Sequence, residues 1–229
     1  MIIEFKFPNF ENNGSIPSNN KHLVVGFIHH CLGENNPYHD RFSDYCVSEI
    51  YDGKMYIVPK IDINSKTLTF SEYPVFYVSS ENEEFINKLV GGAILNMSVL
   101  FGSTAVMGGY NDFSVKSPFV DTIELKCVLL KDKQDEIITV NSDPERWLSV
   151  MESKCRAKLK YEGIEDPYFK LEYKYRGNDR NCYYKSRKYR CSVVRLKVYG
   201  NIKTRKTLYN MGFGNSTGCG FGFVNLYTV

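Results

Sequence analysis

Four histidines, His22, His29, His30 and His39, fall within 18 residues, and the 229-residue chain holds no others. An imidazole changes charge at about pH 6.5, so it can take or give a proton near neutrality, and a cluster this dense is the strongest local sign of proton-transfer chemistry. His39 lies in "NPYHDR", a polar stretch that keeps it accessible, with Tyr38 beside it and Arg41 two residues on. His29 and His30 lie in "GFIHHC", whose apolar spacing reads as helix. They point about 100° apart there, so at most one of them faces a common site, and the sequence leaves open which. His22 begins the same helix and belongs on the surface.

A second concentration is of charge. Residues 154–206 carry 17 Lys and Arg against 5 Asp and Glu, a net of +12, which leaves −9 for the rest of a chain whose total is +3. Within "KLEYKYRGNDRNCYYKSRKYRCSVVRLKVYG", Lys185, Arg187, Lys188 and Arg190 interleave with Tyr173, Tyr175, Tyr183, Tyr184 and Tyr189. Like charges gathered this way repel one another unless a polyanion relieves them, and cations among stacking rings suit phosphates and bases. The four basic residues are candidate nucleic-acid contacts. The same alternation also describes strands with one solvated and one buried face.

The third feature is "GFGNSTGCGFGF", which places Gly212, Gly214, Gly218, Gly220 and Gly222 close to the C-terminus. A Walker loop needs Gly-Lys-Ser/Thr ahead of a helix, and a dinucleotide fingerprint runs from strand to helix. Here a helix precedes the glycines and a strand follows. Bare backbone of this kind can line a path for a sugar-phosphate chain or let one segment pack tightly under another.

An apolar content of 43% is enough to bury one large core or two of about 100 residues each. No run of about 18 apolar residues occurs, and "MIIEFKFPNFENN" carries charges inside its apolar stretch, so neither a membrane span nor a signal peptide is supported and a cytoplasmic protein is expected. Seven cysteines without a CxxC pair fit reduced, buried thiols better than a disulfide framework or a zinc site. No metal and no cofactor is expected.

The elements that must position these residues follow one order twice. "MIIEFKF" alternates as a strand, and "NNKHLVVGFIHHCLG" is a helix stopped by Gly33. "DYCVSEIYDGKMYIVP" reads as a hairpin about Asp52-Gly53, "SKTLTFSEYPVFYVSS" adds strands, "ENEEFINKLVGGAILN" is a helix capped by Ser80, and "SVLFGSTAVMGGYNDF" is a returning strand. After a boundary near Ser117-Pro118 come the strand "IELKCVLLKD", a helix opened by Asp143 and Pro144, strands over 168–176 and 189–199, a short helix in "NIKTRKTLYNM" and a last strand in "FGFVNLYTV". This predicts an α+β fold of two tandem ferredoxin-like domains, residues 1–118 and 119–229, with a cleft between them and the glycines near its floor.

The segment "LKVYGNIKTRKTLYNMGFGNSTGCGFGFV" resembles the signature of the CRISPR-associated repeat-processing endoribonucleases, the Cas6 family of the RAMP superfamily: a last helix, then G-x-G-x5-G-F-G and a terminal strand. "KHLVVGFIHHCLGENNPYHDRFSDYCVSEI" is also similar to theirs, with an apolar helix and a loop histidine. The resemblance implies metal-independent cleavage of CRISPR repeat RNA in precursor transcripts, by 2′-hydroxyl attack that leaves 2′,3′-cyclic phosphate and 5′-hydroxyl ends. His39 matches the family's loop histidine, and His29 a helix position where some members carry a tyrosine. Arg41 would bear phosphorane charge, with Lys54 as the alternative, because no lysine stands at the family's usual place. The glycine loop and the basic strands would hold RNA, and the partners implied are repeat RNA and subunits of a CRISPR effector complex, with the enzyme a monomer or homodimer.

Two other readings compete. A non-catalytic RNA-binding subunit of an effector complex would keep the basic strands and glycines but need no proton carriers, and the clustered histidines speak against it. A zinc site on His29, Cys31, His39 and Cys46 lacks the short paired spacings such sites favour.

Overall fold

The computed structural model describes residues 1–10, 16–34, 36–38, 45–55, 57–95, 99–100, 103–104, 106–108 and 121–226. The expected domain boundary near Ser117-Pro118 lies outside them, as do His39 and Arg41.

Strand β1 (Ile2–Lys6) leads through a short β2 (Ile16–Pro17) to helix α1 (Lys21–Leu32). The chain returns as β3 (Tyr45–Val47) and β4 (Tyr51–Asp52), makes an excursion through β5 (Lys60–Asp62) and β6 (Thr67–Thr69), and re-enters as β7 (Pro74–Ser80). Helix α2 (Glu83–Leu95) follows, then the small hairpin β8 (Val99–Leu100) and β9 (Ser103–Thr104), and β10 (Val106–Gly108). The main sheet has the order β10-β1-β7-β3, antiparallel throughout, with β4 also on β7, which is the ferredoxin-like arrangement.

Every residue of β7 is buried because both of its faces are covered. Phe76 and Val78 join Phe5, Phe27, Ile28, Phe85 and Leu89 beneath the helices. Val75 and Tyr77, pointing the other way with the period of two, join Ile2, Cys46, Tyr51 and Phe223. Phe223 belongs to the second half of the chain, so the back of this sheet is the seam between the domains.

Two local expectations need correcting. Helix α2 is capped by Asn82, whose Oδ1 accepts from the Phe85 N–H at 3.0 Å, while Ser80 supports the cap by accepting from the Asn82 N–H at 3.0 Å. The chain does turn about Asp52-Gly53, where the Asp52 N–H meets the Ile57 carbonyl at 2.8 Å, but among the described residues the two arms do not form a strand pair. Both β3 and β4 pair with β7, and the Asp52 carboxylate takes the backbone N–H groups of Ser71 and Glu72 at 2.7 and 2.8 Å.

The second domain repeats the plan with β11 (Thr122–Val128), α3 (Pro144–Tyr161), β12 (Lys170–Arg176), a hairpin of β13 (Arg180–Tyr184) and β14 (Arg187–Tyr199), α4 (Ile202–Met211) and β15 (Val224–Leu226). Its sheet order β12-β14-β11-β15 is again ferredoxin-like, with β13 added beyond the expected strands. Asp143 caps α3 by accepting from the Arg146 N–H at 3.0 Å, and Pro144 fills the first position, as its sequence suggests. Trp147, Met151, Leu196, Leu208 and Phe213 fill the core under α3 and α4.

The glycine segment leaves α4 and crosses the seam. Thr217 Oγ1 donates to the Tyr45 carbonyl at 3.0 Å, the Cys46 thiol to that of Phe221 at 3.6 Å, and Tyr51 Oη to Asn225 Oδ1 at 2.9 Å. Lys158, only 3% exposed, donates to the carbonyls of Met211 and Gly212 at 3.0 and 2.8 Å, which closes the C-terminus of α4 with a cation. Burial pulls its pKa down to about 8.

Candidate active site and RNA interface

Helix α1 carries three of the four histidines, and its packing sorts them. Val24, Val25, Phe27, Ile28, Cys31 and Leu32 are buried against the first sheet, which leaves His30 exposed and His29 half-buried at the edge. Gly33 ends the helix with φ +83°, its N–H on the carbonyls of both histidines. His22, in the first turn, is half-buried.

Just past the helix the chain turns back on His29. Asn36 Nδ2 stands 2.8 Å from His29 Nδ1, and Asn36 Oδ1 accepts from the Tyr38 backbone N–H at 2.9 Å. The second bond fixes which way the amide points, so the amide nitrogen donates to Nδ1 and the proton of the neutral ring sits on Nε2. His29 is thereby an oriented donor. Tyr38 sets its ring edge-on to Phe85 at 5.0 Å, and Tyr45 stacks on the same ring at 4.6 Å. Tyr38 and Tyr45 thus meet on one ring beside α2. The alternative cation, Lys54, is exposed in the turn after β4.

The basic residues separate into paired and unpaired groups. Arg195 reaches Glu124 at 3.1 Å, Lys197 reaches Asp121 at 3.2 Å, Lys174 reaches Glu172 at 2.7 Å, and Arg180 pairs with Glu49 of the first domain. Acids from outside 154–206 thus neutralise part of its net charge. At the tip of the β13–β14 hairpin Lys185, Arg187, Lys188 and Arg190 are all exposed. Arg190 approaches the buried carboxylate of Asp179 at 3.4 Å, whereas Arg187 and Lys188 have no carboxylate partner among the described residues. Tyr183, 44% exposed, stands opposite Lys188 in the hairpin register.

This hairpin leans on the start of α1. Asn19 Nδ2 donates to the Lys185 carbonyl at 2.6 Å, and Lys21 donates to the Gly220 carbonyl while lying 3.7 Å from Glu49. A cleft of about 300 Å³ opens there, lined from both domains by residues that include Ser18, Lys21, Glu49, Arg180 and Tyr183. His29 lies eight residues further along α1, about 12 Å at the helical rise.

The five glycines are buried. A side chain at Gly222, where φ is +70°, would meet the Phe213 carbonyl oxygen at 1.7 Å, and one at Gly212, φ +71°, the Cys46 sulfur at 2.5 Å. At Gly212 and Gly222 the bare backbone allows this close packing. The basic hairpin and the cleft beside the segment are the exposed surfaces.

A family model described as CRISPR associated protein Cas6, C-terminal, matches residues 63–226. The chain belongs to the Cas6 family. It is 25% identical over 238 residues to the CRISPR-associated endoribonuclease Cas6 1 of Methanocaldococcus jannaschii, across 93% of this chain and 88% of that one. Among solved structures it superposes on one described as a RAMP protein binding different RNA substrates, with a TM-score of 0.78, 18% identity and full coverage of both chains. A structure of a Cas6-related gene product from Pyrococcus furiosus gives a TM-score of 0.75 and 20% identity, covering 99% of this chain and 98% of that one. These likenesses show the tandem ferredoxin-like fold that the Cas6 membership implies. Asn36 was not singled out by its sequence; the only signal was an amide one helical turn past the end of a histidine-bearing helix.

Proposed function

We propose that this chain is an endoribonuclease that cuts CRISPR repeat RNA in precursor transcripts to give guide RNAs, without a metal ion, by attack of a ribose 2′-hydroxyl on the adjacent phosphate. The observation that carries the reading is the oriented His29, held by Asn36 at the edge of α1, in a chain of the Cas6 family.

In the proposed reaction His39 removes the 2′-hydroxyl proton, the 2′-oxygen bonds to phosphorus, and the bond to the 5′-oxygen breaks to leave a 2′,3′-cyclic phosphate. Arg41 bears part of the charge that collects on the phosphorane oxygens. His29 has its proton on Nε2 and its Nδ1 lone pair already engaged, so it offers a hydrogen bond to the departing 5′-oxygen rather than a full proton. Surrendering that proton would leave an imidazolate, and solvent supplies the proton instead. RNA is held electrostatically by Lys185, Arg187, Lys188 and Arg190, with Tyr183 available for stacking, and runs along α1 from the hairpin toward His29. Gly212, Gly214, Gly218, Gly220 and Gly222 shape the seam on which that path rests.

Incubation of end-labelled repeat RNA with the protein in EDTA tests the proposal. Cleavage at one position in the repeat supports it. Tight binding without cleavage sinks it in favour of an RNA-binding subunit.

A further inference from the structure

Three cysteines that the proposed reaction does not use converge in the second domain. Cys127 is on β11, Cys182 on β13 opposite Tyr189, and Cys191 on β14 opposite Arg180. All three are buried, and their sulfur atoms lie within 4.8 Å of one another. We propose that Cys127, Cys182 and Cys191 form a binding site for a thiophilic d10 cation, zinc(II) in the first instance, that locks the root of the basic hairpin to the sheet.

The donor set, the spacing and the charge around it all point the same way. Three soft sulfur donors select zinc or copper(I) over magnesium or calcium. Zinc–sulfur bonds of about 2.3 Å place tetrahedral ligand atoms about 3.8 Å apart, inside the spread seen here. Cys127 and Cys182 stand closer, at 2.7 Å, and part by about 1 Å when an ion of that bond length enters between them. The backbones need not move for this, because small χ1 rotations about three separate strands suffice.

Zinc(II) with three thiolates carries one net negative charge. Among the described residues two cations lie close enough to act on these sulfurs: Lys21, above the Phe221 ring at 5.3 Å, and Arg180 at the start of β13. Cys182 also lines the interdomain cleft, which leaves the fourth coordination position within reach of water. Among the described residues the remaining surroundings are Leu129, Phe221, Tyr184, Tyr189 and a fourth cysteine, Cys219, a largely apolar shell that slows loss of the ion.

The consequence is mechanical. Gly222 donates its N–H to the Cys127 carbonyl at 2.6 Å, so an ion here joins the glycine segment, β11 and both strands of the hairpin at one point. It sits in the other domain from His29 and takes no part in strand scission.

Cobalt(II) is the probe. Full-length protein, reduced and freed of metal under anaerobic conditions, is titrated with cobalt(II) alone. The expected result is saturation at one equivalent, with near-ultraviolet sulfur-to-cobalt charge transfer and the intense visible bands of tetrahedral cobalt, bleached by one equivalent of zinc(II). Cys191→Ser should lose the charge-transfer signal, and Cys155→Ser, in the separate core under α3, should keep it. The inference is overturned if the wild-type protein shows no charge transfer, if Cys191→Ser keeps it, or if protein purified without reductant titrates two thiols short of its seven because Cys127 and Cys182 have joined as a disulfide.

Discussion

Asn36 holds His29 in one tautomer: its side-chain N–H meets Nδ1 at 2.8 Å while its oxygen is committed to the Tyr38 N–H at 2.9 Å. A histidine held this way donates from Nε2 and keeps its net charge unchanged through the reaction.

That distinction can be measured. His29→Gln should lower the single-turnover cleavage rate by about 10²-fold to 10³-fold, the usual loss for one donor aimed at developing charge, with RNA affinity nearly unchanged. The pH–rate profile should keep its shape, because the residue removed does not titrate in the reaction. Loss of the alkaline limb in His29→Gln would make His29 the general acid instead. Asn36→Ala frees the ring and should fall between wild type and His29→Gln.

The ion pairs divide the basic face into residues that are free to meet phosphate and residues already occupied. Charge reversal of Arg187 and Lys188 together should weaken repeat RNA binding across sequences and reduce the salt slope, by about 0.7 log unit per log unit of salt for each lost phosphate contact on single-stranded RNA. Neutralising Arg195 and Lys197, which face Glu124 and Asp121, should change affinity much less. Equal effects from the two pairs would move the RNA onto the face of β14 nearer β12.

Close packing makes Gly222 unequal to Gly163. Gly222→Ala forces a methyl group against the Phe213 carbonyl at 1.7 Å and should cost more than about 3 kcal/mol in urea unfolding, enough to threaten the fold. Gly163→Ala, with φ +67° but nothing within 4 Å, should cost only the left-handed backbone penalty of about 1–2 kcal/mol. Similar costs at the two sites would mean that the Gly222–Phe213 contact relaxes readily.

Lys158 gives the fold a pH signature. Its folded pKa is about 8 against an ordinary 10.5, so between those values the unfolded chain binds the extra proton and stability rises with pH. The unfolding free energy of wild type minus that of Lys158→Met should therefore be flat below pH 8 and climb above it, approaching about 1.4 kcal/mol per pH unit for one proton. Taking the difference cancels most of the opposing effect of Cys46 and Cys155, whose thiols burial pushes up to about 12, and leaves only their coupling to Lys158. A flat difference from pH 7 to 10 would show that Lys158 is not buried as a cation.

Much of the fold was legible because its signals are local. The Asp143-Pro144 cap, the Gly33 stop, the helix before Gly212 and the alternation in β1 and β14 each follow from a few neighbouring residues. The edge strand β13 was missed because "RNCYY" has little alternation until Arg187–Tyr199 is there to pair with it. What depends on contacts across the chain was not legible. The pairing of Glu49 with Arg180 spans 131 residues, and Cys127, Cys182 and Cys191 meet from three strands with none of the short spacings that mark a metal site in sequence. The glycines were read correctly as a marked segment, but their burial follows from the seam with Cys46 and Tyr45, which no stretch of the C-terminal sequence contains.

In the proposed reaction a ribose hydroxyl of the RNA is the nucleophile and protein side chains alone activate it. Two repeat RNAs that differ only in a 2′-deoxyribose at the cut position, each incubated with the wild-type protein in EDTA, test it most directly. Both should bind with the same affinity, the all-ribose RNA should be cut to 2′,3′-cyclic phosphate and 5′-hydroxyl ends, and the deoxy RNA should stay whole. Cleavage of the deoxy RNA, or cleavage of either one only after magnesium is restored, would contradict it.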